Sequence, residues 1–255
     1  MNYSKFVPFF LLMAFSLVLP TTIAKAETKS VVGVSTVYEE KRGKEVNISV
    51  YINGSEEVAG GSLTLFYDKT ALTVEDEPII GEELSDYLTS VNTEKPGKVM
   101  FEWAKATEQI LDGTLLTVTL ELEKSSETIN LDLQEVKLFN EDFEPISVDV
   151  FDGQVKPFKG DMRKYGTKVK GSKEWNVRFN KEFNKSTVNK HTVFVRDSRG
   201  NVIDVAINLS GKNIIVVKPK GVYEYGTYTL EITEQVRDLN GKQLKEPVKF
   251  EFSVE

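Results

Sequence analysis

Two segments with strictly alternating apolar side chains constrain the fold of this chain more than any other feature. In the first segment Leu63, Leu65 and Tyr67 share one side of an extended strand, because successive side chains of a strand point to opposite faces. In the second segment Phe101 and Trp103 do the same. Each strand therefore has one buried and one exposed side, which is typical of antiparallel sheets. This pattern carries no catalytic constellation and favours a binding module over an enzyme.

Other alternating segments extend the β pattern over the whole chain. They include Val46, Ile48, Val50 and Ile52, then Leu116, Val118, Leu120 and Leu122, and later Trp175, Val177 and Phe179. Turns are predicted at 53–55, 96–97 and 112–113, where glycine follows Asn, Pro or Asp. Only residues 79–88 have helix-like spacing, which predicts at most a short helix. We expect an all-β fold: a jelly-roll sandwich of about nine strands, then an Ig-like sandwich of about seven.

The amino terminus has the pattern of a secretory signal peptide. Lys5 precedes an apolar run that ends at Pro20, and Ala24 and Ala26 fit a small-x-small cleavage site. We therefore assign residues 1–26 to a signal peptide, 27–155 to the first domain and 156–255 to the second. The protein is expected outside the cell or at its surface. No membrane span is expected after removal of the signal, because no other apolar stretch is long enough.

Charge and composition separate the two halves and exclude some chemistry. Residues 27–155 carry 27 acidic and 10 basic side chains, whereas residues 156–255 carry 12 acidic and 20 basic ones. The change of sign near Val155 supports a domain boundary there. The chain has no cysteine, so disulfides and thiolate metal sites are excluded. No nucleic-acid motif accompanies the basic residues, and no nucleic-acid partner is expected.

No residue pattern indicates catalysis or a bound metal. His191 is the only histidine and is expected in a solvated loop, so we predict no catalytic residues. Adjacent acidic residues are expected in solvated turns, although a glycosidase pair across a cleft remains an alternative. Asp197 and Asp238 begin Asp-x-x-Gly segments, which we interpret as turns and not as calcium loops. We therefore expect no enzyme activity, no metal site and no cofactor.

The first half of the chain resembles a cohesin domain over about residues 30–155. The resemblance depends on several elements in a fixed order. They are Val32-Gly33-Val34, the segment Leu63 to Asp68 followed by Leu72, the strand Val99 to Ala104, the segment Gly113 to Leu116, and the closing Asp152-Gly153. The resemblance implies a nine-stranded jelly roll that recognises a dockerin partner through one exposed sheet face.

The resemblance also implies which side chains contact the partner. The predicted partner-binding face consists of Ser62, Thr64, Phe66, Lys98, Met100 and Glu102. Phe66 and Met100 would be apolar anchors on that face; the alternative is that a loop or the second domain covers them. The resemblance makes a dockerin-like protein one predicted partner. Gly60 and Ser62 stand where many cohesins have Asn and Asp, so those polar recognition contacts are missing here. An extracellular polysaccharide or cell-wall polymer is therefore the alternative partner.

The second half is similar to bacterial Ig-like domains of surface-layer and wall proteins. The similarity depends on Trp175 to Asn180, Thr187, Gly226 to Leu230 and Val236 to Gly241. It implies a spacer or adhesion unit, in which one of Tyr223, Tyr225 and Tyr228 forms a tyrosine corner. The lysines Lys164, Lys168, Lys170 and Lys173 are candidates for binding an anionic polymer. The alternative is a merely solvated basic face.

Overall fold

The structure is a computed structural model that describes residues 29–124 and 128–255. The predicted signal peptide, residues 1–26, lies outside the described residues. Strands account for nearly all regular structure, and two short 3-10 helices, Glu82–Leu84 and Lys185–Thr187, are the described helical elements. In the described part of the chain no helix is long and apolar enough to cross a membrane. The predicted all-β class is confirmed.

Residues 30–156 form the N-terminal sandwich. Its strands are β1 (Ser30–Val34), β2 (Val37–Tyr38), β3 (Glu45–Tyr67), β4 (Leu72–Val74), β5 (Ile79–Ile80), β6 (Leu88–Asn92), β7 (Lys98–Leu122), β8 (Ile129–Phe139), β9 (Pro145–Ile146), β10 (Val148–Phe151) and β11 (Gly153–Lys156). They form one 11-stranded hydrogen-bonded network. The network has more segments than the nine strands expected, because several short strands pair along β7.

Two long strands pass through both layers of this sandwich. β3 and β7 pair antiparallel along their lengths, and the register shifts between Asn53 and Glu57 and again near Gly60. In the back sheet the first part of β3 pairs with β1, and the last part of β7 pairs with β4 and β5. In the front sheet the last part of β3 pairs with β8, and the first part of β7 pairs with β6. The two layers enclose one hydrophobic core. Bulges of this kind let a strand bend from one sheet into the other.

The predictions of turns at 53–55 and 112–113 are therefore wrong. Both segments lie inside continuous strands. A Cβ on Gly54 would lie 2.3 Å from the carbonyl oxygen of Leu111, so the glycine allows a close approach of two backbones. The third predicted turn is confirmed, since Gly97 has a φ of 94° beside the start of β7. Residues 79–88 contain two strand segments around one 3-10 turn, in line with at most a short helix.

The inward side chains are the ones that the alternation predicts. Leu63, Leu65, Phe101 and Trp103 are at most 3% exposed. The alternating sets from Val46 to Ile52 and from Leu116 to Leu122 are buried in the same core. Burial of this much apolar surface stabilises the sandwich without disulfides, at roughly 25 cal/mol per Å² removed from water.

Residues 161–254 form the C-terminal sandwich. Its strands are β12 (Asp161–Lys164), β13 (Trp175–Arg178), β14 (Val193–Asp197), β15 (Val202–Ile203), β16 (Val205–Ser210), β17 (Ile214–Pro219), β18 (Gly226–Ile232) and β19 (Val248–Val254). They form a 5-stranded and a 3-stranded sheet around a second core. The Tyr228 hydroxyl donates to the carbonyl oxygen of Glu224 at 3.0 Å, which confirms the predicted tyrosine corner.

Candidate functional site

Four strands present an open surface, the front face, defined as the outward side of the front sheet. Across the sheet the strands lie in the order β8, β3, β7, β6. Cross-strand pairing arranges the outward side chains in three rows: Lys137, Ser62, Glu102 and Ser90; then Gln134, Thr64, Met100 and Asn92; then Asp132, Phe66 and Lys98. The six residues predicted as a partner-binding face therefore lie side by side in the middle of one surface.

Exposure differs among these six residues. Met100 is 36% exposed and Glu102 is also exposed, whereas Ser62, Phe66 and Lys98 are half-buried. Apolar side chains at this density on a sheet surface are typical of an interface. The outward direction of Phe66 and Met100 agrees with the alternation, and no described loop seals them.

Thr64 differs from its prediction. Its side chain points to the front face, but it is only 4% exposed. The Thr64 hydroxyl donates to the Glu135 carboxylate at 2.9 Å, so Glu135 covers it and presents the surface at that position. Glu135 has a φ of 55° and lies where the register of β3 and β8 shifts. At this position of the front face the structure therefore exposes Glu135 and not Thr64.

The charges of the front face are mixed and unpaired. Within the described residues, no ion pair within 4.0 Å engages any of Lys98, Lys137, Glu102, Asp132 and Glu135. Surface charges without an ionic partner inside the chain can set the orientation and specificity of an incoming partner.

Sequence reasoning missed the outer strands of this face. β6 contributes Ser90 and Asn92, and β8 contributes Asp132, Gln134 and Lys137. The alternation of Ile129, Leu131 and Leu133 signals that the residues between them face outward. Nothing in the sequence signals which strand lies beside β3, because the paired residues are about seventy positions apart.

A second outward surface, the back face, is covered. We define it as the outer side of β1, β2 and the first half of β3 with the adjoining β10 and β11. Val31 and Tyr51 point outward there, yet each is 1% exposed. The Tyr51 ring stacks on the His191 ring with centroids 4.4 Å apart, and the Asn53 amide donates to the Ser186 carbonyl at 3.0 Å. The C-terminal sandwich therefore covers the part of the back face around Val31 and Tyr51.

Gln235 makes the most specific contact between the two sandwiches. Its side-chain nitrogen donates to the carbonyl oxygens of Val34 at 2.6 Å and of Asp152 at 3.1 Å. Its side-chain oxygen accepts from the backbone N–H of Thr36 at 3.0 Å. One buried amide thus satisfies three backbone groups of the N-terminal sandwich, which are costly to leave unpaired.

Charged and aromatic groups surround this contact. Glu234 accepts hydrogen bonds from the Tyr38 hydroxyl and, at 2.9 Å, from the Lys156 ammonium. Burial and the Glu234 carboxylate raise the pKa of Tyr38. The Lys249 ammonium lies over the Tyr38 and Phe158 rings, 5.5 and 4.7 Å from their centroids. Such cation–π contacts strengthen when they are desolvated.

The prediction that His191 lies in a solvated loop is wrong. Its half-buried ring stacks on Tyr51, and burial, assisted by the charge of Lys190, lowers its pKa to about 4. The imidazole is therefore neutral near pH 7 and acts as part of the contact between the sandwiches. Among the described residues, no group of three or more His, Cys, Asp or Glu side chains is arranged to hold a metal.

The two Asp-x-x-Gly segments are turns. Asp197 accepts backbone hydrogen bonds from Arg199 and Asn201, both at 2.9 Å. Asp238 accepts equivalent bonds from Asn240 and Lys242. The pKa of Asp197 is lowered chiefly by a further hydrogen bond from the Asn201 side chain at 2.9 Å, and the pKa of Asp238 is lowered chiefly by the backbone bond from Lys242.

The basic residues predicted to bind an anionic polymer lie on the C-terminal sandwich. Lys164, Lys168 and Lys170 are exposed, and Lys173 is half-buried. Lys164 forms an ion pair with Glu251 at 2.6 Å. The ammonium groups of Lys168 and Lys173 lie 5.7 and 5.1 Å from the ring centroids of Tyr225 and Trp175. The four side chains therefore do not form one free cationic cluster.

Comparison with known families agrees with this architecture. Residues 30–156 match the model of the cohesin domain, and residues 163–254 match the model of a bacterial Ig-like domain. The resemblance derived from the sequence is confirmed for both halves. No curated protein matches the chain.

Several solved structures are similar to the first half. A non-cellulosomal cohesin from Archaeoglobus fulgidus has 20% identity and a TM-score of 0.46, over 51% of this chain and 92% of that one. A type I cohesin–dockerin complex from Clostridium thermocellum has 16% identity and a TM-score of 0.45, over 51% and 99%. The seventh type I cohesin of a scaffoldin from Pseudobacteroides cellulosolvens has 21% identity and a TM-score of 0.43, over 51% and 92%.

Proposed function

Since this chain carries a cohesin domain followed by a bacterial Ig-like domain, we propose that it is a non-catalytic module that docks a dockerin-like protein through its front face. The domain family supports protein docking in general. The observation that supports the front face in particular is its openness: it presents apolar side chains and unpaired charges, while the C-terminal sandwich lies against the back face around Val31 and Tyr51. The proposed partner would bury Phe66 and Met100 at the centre, within a polar rim.

The signal peptide proposed for residues 1–26 implies that docking takes place outside the cell or at its surface. In this proposal residues 27–155 form the docking unit. Residues 156–255 hold that unit at a fixed angle, because Gln235 and His191 tie the two sandwiches together. The proposal includes no catalysis, because both matched domain families are non-catalytic binding modules.

The test is binding of the full chain to a panel of purified dockerins by titration calorimetry. We expect at least one micromolar or tighter complex, and we expect Phe66→Ala with Met100→Ala to weaken it about tenfold or more. The matched control is Val202→Ala with Leu209→Ala, which removes apolar groups that are 58% and 38% exposed on the C-terminal sandwich. Failure of every dockerin to bind, or equal loss with the control pair, contradicts the proposal.

A second candidate function is binding of an anionic wall polymer or polysaccharide by the C-terminal sandwich. The observation that favours it is the Lys168 ammonium over the ring of Tyr225, which is 80% exposed. In co-sedimentation with purified cell wall, Lys168→Glu with Lys170→Glu should abolish binding, and salt should weaken the wild type. If neither the charge reversal nor added salt reduces the amount of protein that sediments with the wall, this candidate function is contradicted.

A further inference from the structure

One end of the front face contains a trough that the six predicted contact residues do not account for. Cross-strand pairing places Phe139, Gly60, Ala104 and Leu88 in a single row across β8, β3, β7 and β6. The two central positions have no side chain or only a methyl group. The flanking positions carry large apolar side chains. The result is a groove of about 710 Å³ that continues into the row of Ser62 and Glu102.

The apolar walls of this trough are unusually exposed. Leu88 is 82% exposed and Phe143, which also lines the trough, is 86% exposed. A large apolar side chain at this exposure gains no burial energy in the free protein. Two of them on either side of a groove are typical of a surface that is covered when a partner binds.

Phe143 is also held in an unfavourable backbone conformation. Its φ of 62° lies in the left-handed region, which a bulky side chain adopts at an energetic cost. The surrounding turn fixes it there, because the Asn140 side chain accepts from the backbone N–H groups of Asp142 at 3.1 Å and Glu144 at 2.8 Å. Glu108 accepts from the N–H of Glu141 at 3.1 Å and ties the turn to β7. The exposed ring gains no burial that would offset this cost, and such an outlier on a surface is a reason to look for a function.

The charge at the trough is negative. Three charged residues line it: Glu102, Glu141 and Lys105. Lys105 is neutralised by its ion pair with Asp86. Among the described residues no cation lies within ion-pair distance of Glu102 or Glu141, so two carboxylates border the groove without a partner.

From this geometry we infer that the trough receives a large apolar side chain of a protein partner that is flanked by lysine or arginine. The inference rests on the proposed docking function and specifies the partner. Leu88 and Phe143 would flank a large apolar side chain that lies over the floor of Gly60 and Ala104. The two free carboxylates complement basic neighbours of that side chain. A glycan fits less well, because the surface of the trough is mostly apolar.

The experiment selects random 12-residue peptides, displayed on phage, against the immobilised full chain. Peptides that are retained on the wild type and lost on Phe143→Asn or Ala104→Gln are then synthesised, and their affinity is measured by fluorescence anisotropy. Asparagine tolerates a positive φ, so Phe143→Asn should unfold at the same urea concentration as the wild type or a higher one. Ala104→Gln fills the floor of the trough from an exposed strand position.

We expect the trough-dependent peptides to carry a large apolar residue next to Lys or Arg, and to bind each of the two variants about tenfold more weakly or worse. Glu102→Gln with Glu141→Gln should weaken the same peptides several-fold and reduce their salt dependence. The inference is overturned if no selected peptide depends on the trough, if the dependent peptides are acidic, or if Phe143→Asn instead abolishes binding to a glycan panel. A dockerin that loses affinity through Phe66 and Met100 but not through Phe143 or Ala104 would overturn it while leaving the proposed function intact.

Discussion

Inward and outward side chains alternate in each half of strand β3, on either side of its bulges, yet the outward surface of one half is covered and that of the other is open. Tyr51 in the first half points outward and is 1% exposed, because the Ig-like domain lies on it. Phe66 in the second half also points outward and is half-buried among its own neighbours, on a surface that no described element covers. The two surfaces belong to one strand, and they differ in whether the Ig-like domain packs against them.

The difference shows how each kind of surface is built. The back face has complementary partners for its polar groups: Gln235 pairs three backbone groups, and Glu234 pairs Tyr38 and Lys156. The front face leaves its charges unpaired and its apolar side chains in contact with water. Polar groups that find hydrogen-bond partners inside the chain stabilise a permanent contact between the sandwiches. Polar groups without such partners remain available to a protein that binds reversibly. Variants on the two faces should therefore separate stability from binding.

The largest loss of stability is expected for Gln235→Leu. The variant leaves the Val34 and Asp152 carbonyls and the Thr36 N–H without their buried partner. We expect a loss of about 3–4 kcal/mol of unfolding free energy, since each orphaned buried group costs about 1–3 kcal/mol. In calorimetry the single transition expected of the wild type should split into two, because the domains no longer unfold together.

The control for this variant is Gln243→Leu, since Gln243 lies near the same contact but makes no side-chain hydrogen bond that bridges the described domains. A wild type that already unfolds in two transitions, or a Gln235→Leu variant as stable as the wild type, contradicts a permanent contact at the back face.

The next largest effect is expected for Gly33→Val. A Cβ at this position would lie 2.6 Å from the Tyr51 ring, which cannot retreat because it is stacked on His191. We expect a loss of about 2–3 kcal/mol from this overpacking, measured by urea unfolding. Gly166→Val is the matched control, since nothing lies within 4 Å of a Cβ built there. Equal effects of the two substitutions would show that Tyr51 is not confined.

The front face was far easier to predict from the sequence than the back face. The inward positions Leu63, Leu65, Phe101 and Trp103 follow from a period of two, and the outward direction of Phe66 and Met100 follows from them. The register that sets Met100 beside Thr64 and Asn92 depends on pairing between distant strands, which no local pattern encodes.

The sequence contains weaker signals of two other features, the covered back face and the exposed Phe143. Tyr51 interrupts the set from Val50 to Ile52 with a large aromatic group on the side expected to be solvated, and this was a sign of a covering element. Phe143 lies among acidic residues in a turn, where the pattern predicts only a solvated loop. Its left-handed backbone comes from hydrogen bonds to Asn140, which become evident only when the turn is folded.

Acid should weaken the back face through His191. The pKa of this imidazole is about 4 in the folded protein, below its ordinary value of about 6.5 in an unfolded chain. Between these pH values the unfolded chain binds more protons, so the unfolding free energy falls as the pH is lowered from 7 to 4. We expect this group to contribute about 3 kcal/mol of that fall, measured by urea unfolding at several pH values, since one pKa unit corresponds to about 1.4 kcal/mol. His191→Phe keeps a ring on Tyr51 and should lose this part of the pH dependence; an unchanged slope in the variant would exclude His191 as its source.

The smallest effect on stability is expected at the front face, for Met100→Thr. Met100 is 36% exposed and lies opposite Thr64 on a surface without a described cover, so the free protein loses little burial. Threonine also suits a strand position, and we expect a change within about 0.5 kcal/mol in urea. The same variant should weaken a front-face complex several-fold, because the exposed methionine gains its burial only when the partner binds. A loss of stability comparable to that of Gly33→Val would mean that the front face is part of the folded core, and the contrast between the two halves of β3 would no longer hold.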